Sequence, residues 1–158
     1  MDKPETIVLE LLSQRNVRLA AAESCTGGLV AARLTAIPGA SARVMGGVVA
    51  YHPDVKVRLL RVSADSIRRH GVVSEQVALE MARGACQCAG AELGVSVTGL
   101  AGPDGDGSDT PVGTVCLALH DARDGREQAV THRFNGDRQR VRELAADTAL
   151  ELVKLYLS

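Results

Sequence analysis

The feature that most constrains this chain is a change of apolar period that recurs along it. Helix-spaced segments alternate with short continuous apolar runs, and the pattern closes with two strand-like runs joined by a turn. After Pro4, the spacing of Ile7, Val8, Leu11 and Leu12 predicts a helix ending near Asn16. Val17 to Ala22 reads as a buried strand, Glu23 to Gly28 as a turn, and Leu29 to Leu34 as a helix. After the break at Pro38-Gly39, Val44 to Tyr51 reads as a second strand. Two short helices follow, Pro53 to Leu60 and Ser63 to Arg69, the latter ended by Gly71. Ser74 opens a middle helix with Val77, Ala78, Met81, Ala85 and Cys88 on one side and Glu75, Glu80 and Arg83 on the other. Leu93 to Thr98 and Thr114 to Leu119 read as strands, and Asp124-Gly125 is a hairpin signal leading into Gln128 to Phe134. A last helix is expected from Asp137 to Leu157, with Val141, Leu144, Ala145, Thr148, Leu152 and Leu155 as its buried stripe. Early alternation followed by a late hairpin predicts an α/β fold: a three-layer α/β/α sandwich with a mixed β-sheet.

The 158 residues fit one compact domain, expected to run over 1–158. A formal net charge of -1 and an aromatic set of only Phe134, Tyr51 and Tyr156 argue against a nucleic-acid binder. Cys25, Cys86, Cys88 and Cys116 have neither zinc-site nor disulfide spacing, so reduced thiols in a cytoplasmic protein are the expectation. The segment from Met1 to Gln14 has no apolar leader core, and no stretch is long enough to span a bilayer. His52, His70, His120 and His132 form no ligand spacing, and neither a metal nor another cofactor is expected.

Four segments carry candidate chemistry. Glu23-Ser24-Cys25-Thr26-Gly27-Gly28 falls where a strand ends and a helix begins, beyond the strand end where α/β sheets bind ligands. Glycines there admit close backbone approach, and free N–H groups beside a hydroxyl are the layout of a nucleophile next to an oxyanion hole. Read locally, a helix N-cap is the favoured role for Ser24 or Thr26. Tyr51-His52-Pro53-Asp54-Val55-Lys56 follows the second strand: Lys56 is either a solvated surface charge or, if desolvated, a base able to deprotonate a serine. Tyr51 either packs on the core or relays that proton. The loop from Gly99 to Gly113 contains five glycines, and its length marks it as functional or disordered. Asp104, Asp106 and Asp109 within it lack the spacing of a calcium loop. Finally, Arg138 and Arg142 lie four apart at the start of the last helix, beside its buried stripe. Cations there oppose the helix dipole and call for an anion, either Asp137 or Glu143 or a bound phosphate.

In order along the chain stand Ala-Glu-Ser-Cys-Thr-Gly-Gly-Leu (22–29), Pro-Gly-Ala-Ser (38–41), Gly-Gly-Val-Val-Ala-Tyr (46–51) and Gly-Val-Val-Ser (71–74). Val-Thr-Gly-Leu-Ala-Gly-Pro-Asp-Gly (97–105), Pro-Val-Gly-Thr-Val (111–115) and Phe-Asn-Gly-Asp-Arg (134–138) follow. Together, over nearly the whole chain, they resemble the C-terminal domain family of the competence- and damage-inducible protein CinA, whose stand-alone members include nicotinamide-nucleotide amidases. The resemblance implies hydrolysis of nicotinamide mononucleotide to nicotinate mononucleotide and ammonia, with Ser24 as nucleophile, Lys56 as general base and Tyr51 assisting. It also implies a pocket formed by Thr26, Gly27, Gly28, Ser41, Thr98, Gly99 and Gly102, with Arg138 holding substrate and Arg142 as a second arginine. A three-layer fold, a homodimer and no metal are implied too. The chain departs from its relatives at His52-Pro53, where Ser-Asn is frequent, and at Asp104-Gly105-Asp106-Gly107, where a Gly-Gly pair is common. Related domains also occur within larger proteins, so a ligand-sensing role without catalysis is the alternative; a generic nucleotide-binding module is a third reading.

Overall fold

The computed structural model describes residues 2–158. Its elements are α1 (Pro4–Arg15), β1 (Leu19–Glu23), α2 (Leu29–Thr35), β2 (Val44–Val49), α3 (Pro53–Leu60) and α4 (Ala64–His70). They continue with α5 (Glu75–Ala89), β3 (Leu93–Gly99), β4 (Thr114–Asp121), β5 (Glu127–Arg133) and α6 (Arg138–Leu157). The five strands form one sheet in the order β2-β1-β3-β4-β5. β1 runs parallel to both β2 and β3, and the β3–β4 and β4–β5 pairs are antiparallel. The fold is the three-layer α/β/α sandwich with a mixed sheet that the alternating periods predict. No helix among the described residues is long and apolar enough to cross a membrane.

Strand alternation divides the core in two. Leu19 and Ala21 of β1 join Leu93, Val95, Val97, Leu117 and Leu119 beneath α1, α2 and α6. Ala20 and Ala22 face the opposite layer, packing with Leu60, Val77 and Met81 of α3 and α5. The second face is built of small residues because α5 lies so close to it. A Cβ on Gly94 would sit 2.2 Å from the Ala82 carbonyl oxygen, and one on Gly84 would sit 2.1 Å from that of Leu60. Each large side chain on the first face contributes about 1.5–3 kcal/mol by leaving water.

The topology brings the chemistry to one end. The connection from β1 to β2 passes through α2 in one helical layer, whereas that from β2 to β3 passes through α3, α4 and α5 in the other. The two crossovers diverge at the carboxyl end of β1, which opens a crevice there.

Two details depart from the periodic reading. Cys88 is exposed, because α3 ends at Leu60 and leaves that part of α5 uncovered. Leu155 is 63% exposed, and Leu144 and Thr148 are half-buried, because the buried sector of α6 is rotated toward Ala146, Ala149, Leu150 and Val153. α6 packs on α1 as well as on the sheet, and a stripe read from one side misses that second neighbour.

Candidate active site

Ser24 is the first residue beyond β1, and its N–H still donates to the Val97 carbonyl at 3.0 Å. Beyond it the chain reverses through Gly27 (φ 61°) and Gly28 (φ 102°), left-handed conformations that favour glycine, and enters α2. Glu23 anchors this turn from inside: it is 1% exposed and accepts from Thr26 Oγ1 at 2.6 Å and from the first free amides of α2, Val30 at 2.9 Å and Ala31 at 3.0 Å. A carboxylate at a helix N-terminus is favoured by the dipole and by the unpaired N–H groups there.

Lys56 arrives from α3. Pro53 occupies the first helical position, where its missing N–H costs nothing, and the His52 side chain caps the helix by accepting from the Asp54 N–H at 3.1 Å. The His52-Pro53 departure therefore starts the helix cleanly and turns Lys56 inward. Its Nζ lies 2.8 Å from Ser24 Oγ, 2.8 Å from the Ala50 carbonyl and 3.3 Å from the Tyr51 carbonyl. The residue is 1% exposed and has no carboxylate partner among the described ion pairs. Burial accordingly pulls its amine down to about 8. As an ammonium it donates to all three oxygens, the serine hydroxyl among them; once neutral it keeps two donors for the carbonyls and gains a lone pair able to take the hydroxyl proton. The neighbouring Cys25 thiol is pushed up to about 11 by burial and stays protonated, leaving Ser24 as the nucleophile this amine can activate.

Both groups open into a cavity of about 290 Å³, also lined by Tyr51, Val72, Val73, Thr98, Gly99, Gly102, Asp104, Asp106 and Arg138. Thr98 Oγ1 donates to the Val72 carbonyl at 3.0 Å. Gly99 permits the walls to close: a Cβ there would lie 2.7 Å from Val115 Cγ2 and 3.0 Å from Cys25 Sγ. Arg138 crosses the mouth, donating to the Gly102 carbonyl at 2.7 Å and to Tyr51 Oη at 2.9 Å. The Tyr51 hydroxyl thus meets Arg138, while it is the Tyr51 carbonyl that meets Lys56.

Ser24, Lys56, Tyr51, Thr98, Gly99, Gly102 and Arg138 are brought together, and Ser41, Thr26, Gly27, Gly28 and Arg142 stand apart from the lining. Ser41 is exposed on the short 3-10 turn Ala40–Ala42 before β2. Thr26 is fully buried against Glu23, and Arg142 reaches the carbonyls of Cys25 and Thr26. Val72 and Val73 supply an apolar wall; they lie in the Gly-Val-Val-Ser motif (71–74), which the family resemblance includes without giving it a place in the pocket. The anchoring role of Glu23 had a signal: an acid just before a glycine turn that starts a helix.

A family model described as CinA C-terminal domain matches residues 1–157. The chain belongs to the CinA C-terminal domain family. A CinA-like protein from Citrifermentans bemidjiense is 49% identical over 147 residues, 93% of this chain and 35% of that protein. Another, from Anaeromyxobacter sp. (strain K), is 48% identical over 156 residues, 99% of this chain and 38% of that protein. The chain thus spans little more than a third of the length of the curated relatives it matches. Among solved structures, a competence or damage-inducible protein from Enterobacter asburiae superposes with a TM-score of 0.94 at 33% identity, covering 98% of this chain and 96% of that one. A CinA superfamily protein from Escherichia coli gives 0.90 at 37% identity, covering 97% and 90%.

Proposed function

We propose that this member of the CinA C-terminal domain family is an amidase that hydrolyses nicotinamide mononucleotide to nicotinate mononucleotide and ammonia, using Ser24 as nucleophile and Lys56 as general base. One observation carries the reading: a buried lysine with no counter-charge, 2.8 Å from a serine hydroxyl at the floor of a cavity. The choice of substrate comes from the family resemblance and suits the cavity's charges. The Arg138 guanidinium stands at the mouth for a phosphate, and Asp104 and Asp106 line the wall as partners for a cationic pyridinium ring.

In this mechanism Ser24 Oγ adds to the carboxamide carbon while Lys56 takes the hydroxyl proton. The pyridinium charge draws electrons from that carbon. The tetrahedral intermediate collapses by breaking the C–N bond, and ammonia leaves with the proton returned by Lys56. Water, deprotonated by the same amine, then cleaves the ester, releasing nicotinate mononucleotide and restoring the serine.

Ammonia release from nicotinamide mononucleotide by the purified chain tests the proposal. Ser24→Ala is expected to lower kcat by about 10⁴-fold or more, on the scale seen when a serine nucleophile is removed, and to bind the nucleotide as the wild type does. Nucleotide binding by the wild type without ammonia release would favour the ligand-sensing alternative.

A further inference from the structure

Arg142 makes no contribution to the cavity wall; its guanidinium is spent on the turn that carries Ser24. From the second turn of α6 its Nε donates to the Cys25 carbonyl at 3.0 Å and its Nη2 to the Thr26 carbonyl at 3.1 Å. Its Nη1 donates to Gln139 Oε1 at 3.1 Å. The fork that matches a carboxylate elsewhere here grips two successive main-chain carbonyls, 117 and 116 positions away in the chain. Among the described residues it forms no ion pair.

A trans peptide points its N–H opposite to its C=O. Holding the Cys25 carbonyl therefore turns the Thr26 N–H away from Arg142. Holding the Thr26 carbonyl does the same to the Gly27 N–H, which donates to the Ser24 carbonyl at 3.0 Å. The N–H groups of Cys25 and Thr26 themselves donate to no protein acceptor among the described residues. Of the two, Cys25 lines the cavity, so an unspent donor follows the candidate nucleophile directly. The turn that carries it ends in two left-handed glycines, a backbone with low barriers to alternative peptide orientations. Flipping the Cys25–Thr26 peptide would forfeit a charge-assisted hydrogen bond to Arg142.

We infer that Arg142 is a positioning residue: its grip on the Cys25 and Thr26 carbonyls fixes the turn in which the Gly27 N–H holds the Ser24 carbonyl, and so orients the Cys25 amide, opposite that carbonyl in the same peptide, as an oxyanion donor for addition by Ser24. The inference rests on the amidase reading and deepens it. A phosphate-binding arginine would act on substrate affinity. A residue that orients oxyanion donors acts on the chemical step and is indifferent to whether the substrate carries a phosphate.

The test compares wild type, Arg142→Ala and Arg142→Lys on nicotinamide mononucleotide and on nicotinamide riboside, which has the same ring and amide without the phosphate. It also measures the rate at which a fluorophosphonate labels Ser24, a step that forms the Oγ–P bond, expels fluoride and gives the hydroxyl proton to Lys56. Arg142→Ala is expected to lower kcat by about 10- to 100-fold, at or below the range for losing one oxyanion donor outright. KM should change less than about threefold, the factor should be the same for both substrates, and labelling should slow in parallel. Arg142→Lys, which keeps the charge and one donor, should fall between the two. A rise in KM with kcat held, a loss confined to the phosphorylated substrate, or wild-type kcat and labelling would each overturn the inference. If Arg142→Ala does not fold by circular dichroism, Arg142→Lys decides by the same criteria. A wild type that is labelled at Ser24 but releases no ammonia ends the substrate assignment alone, and the labelling rates then decide the role of Arg142. A wild type that does neither sinks both.

Discussion

The two ends of the sheet each bury an ionisable group and treat it in opposite ways. At the end away from the cavity, Asp121 closes β4 with its side chain fully buried. It accepts from the Arg123 N–H and Nε, each at 3.0 Å, from Arg123 Nη2 at 2.8 Å and from Tyr156 Oη at 2.6 Å. The Arg123 guanidinium holds this carboxyl well below the usual carboxylate range. The Tyr156 phenol, partly buried and donating to the charge, is pushed up to about 12. At the cavity end Lys56 is as deeply buried but meets only neutral oxygens, and burial brings its amine down to about 8. Desolvation is costly in both places. Where a counter-charge answers it, the protonation state is locked and the group is architectural. Where none does, the proton becomes exchangeable near neutral pH, which suits acid–base chemistry.

The contrast is broken most severely at Lys56. Lys56→Met keeps the length of the side chain and removes the amine. Turnover of nicotinamide mononucleotide is expected to fall by about 10³-fold, within the range for loss of a general base. The thermal midpoint should stay level or rise, since an unpaired buried charge is replaced by an apolar group. Steady-state kinetics and a thermal melt on one preparation check both halves. A melt lowered by many degrees would mean that Lys56 is architectural like Asp121.

A titration sharpens the same point with a smaller effect. In the proposed mechanism the neutral amine is the base, so kcat should rise with pH and level off above about 8. Stability moves in a linked way. An unfolded lysine titrates near about 10.4, so between about pH 8 and 10 the unfolded chain binds the proton that the folded chain has released, and stability rises with pH across that window. The full rise is on the order of 3 kcal/mol, from about two and a half pKa units. The checking measurement is urea unfolding of wild type minus Lys56→Met from pH 7 to 10. A flat difference would mean that the folded amine titrates like a solvated lysine.

Much of this contrast was legible in the sequence and some was not, for reasons that differ by residue. The order and type of the elements followed from periodicity, because the strands around Leu19 and Leu93 are buried on both faces and the helices are amphipathic. Periodicity locates a buried stripe against one neighbour only, so it missed Leu155, where α6 turns toward α1, and Cys88, where α3 has ended. Ser24 could be singled out locally as a hydroxyl at a strand-to-helix turn, but local reading favoured an N-cap, a place that Gly28 takes instead. The pairing with Lys56, 32 positions away, came only from resemblance, because a burial that depends on α3 folding back over β1 leaves no mark in local spacing. Arg142 was read as a cation calling for an anion; its partners are instead neutral oxygens, chiefly main-chain carbonyls, and these carry no residue identity to read.

The other end of the sheet carries the smallest expected effect and completes the comparison. Asp121→Asn preserves the volume and one carbonyl acceptor while removing the charge that Arg123 and Tyr156 answer. Arg123 is 43% exposed, so water takes over part of its solvation and the loss falls short of that for a fully enclosed pair, at about 2 kcal/mol near pH 7. Catalysis should be unchanged, because the register pairs Asp121 with Leu93 at one end of β3, and Thr98 and Gly99 of the cavity lie at the other. Stability rises with pH here as at Lys56, because both groups give up their proton more readily folded than unfolded, but the window is acidic. A carboxyl with a depressed folded pKa contributes stability that is fully present above its unfolded value of about 3.9 and is lost as pH falls through the folded one. Wild type and Asp121→Asn should therefore differ in denaturant midpoint by a constant amount from pH 7 to 5 and converge below about pH 4. Convergence already at pH 6, or a fall in kcat at pH 7, would mean that the two ends of the sheet are coupled and that Asp121 does more than hold β4 to α6.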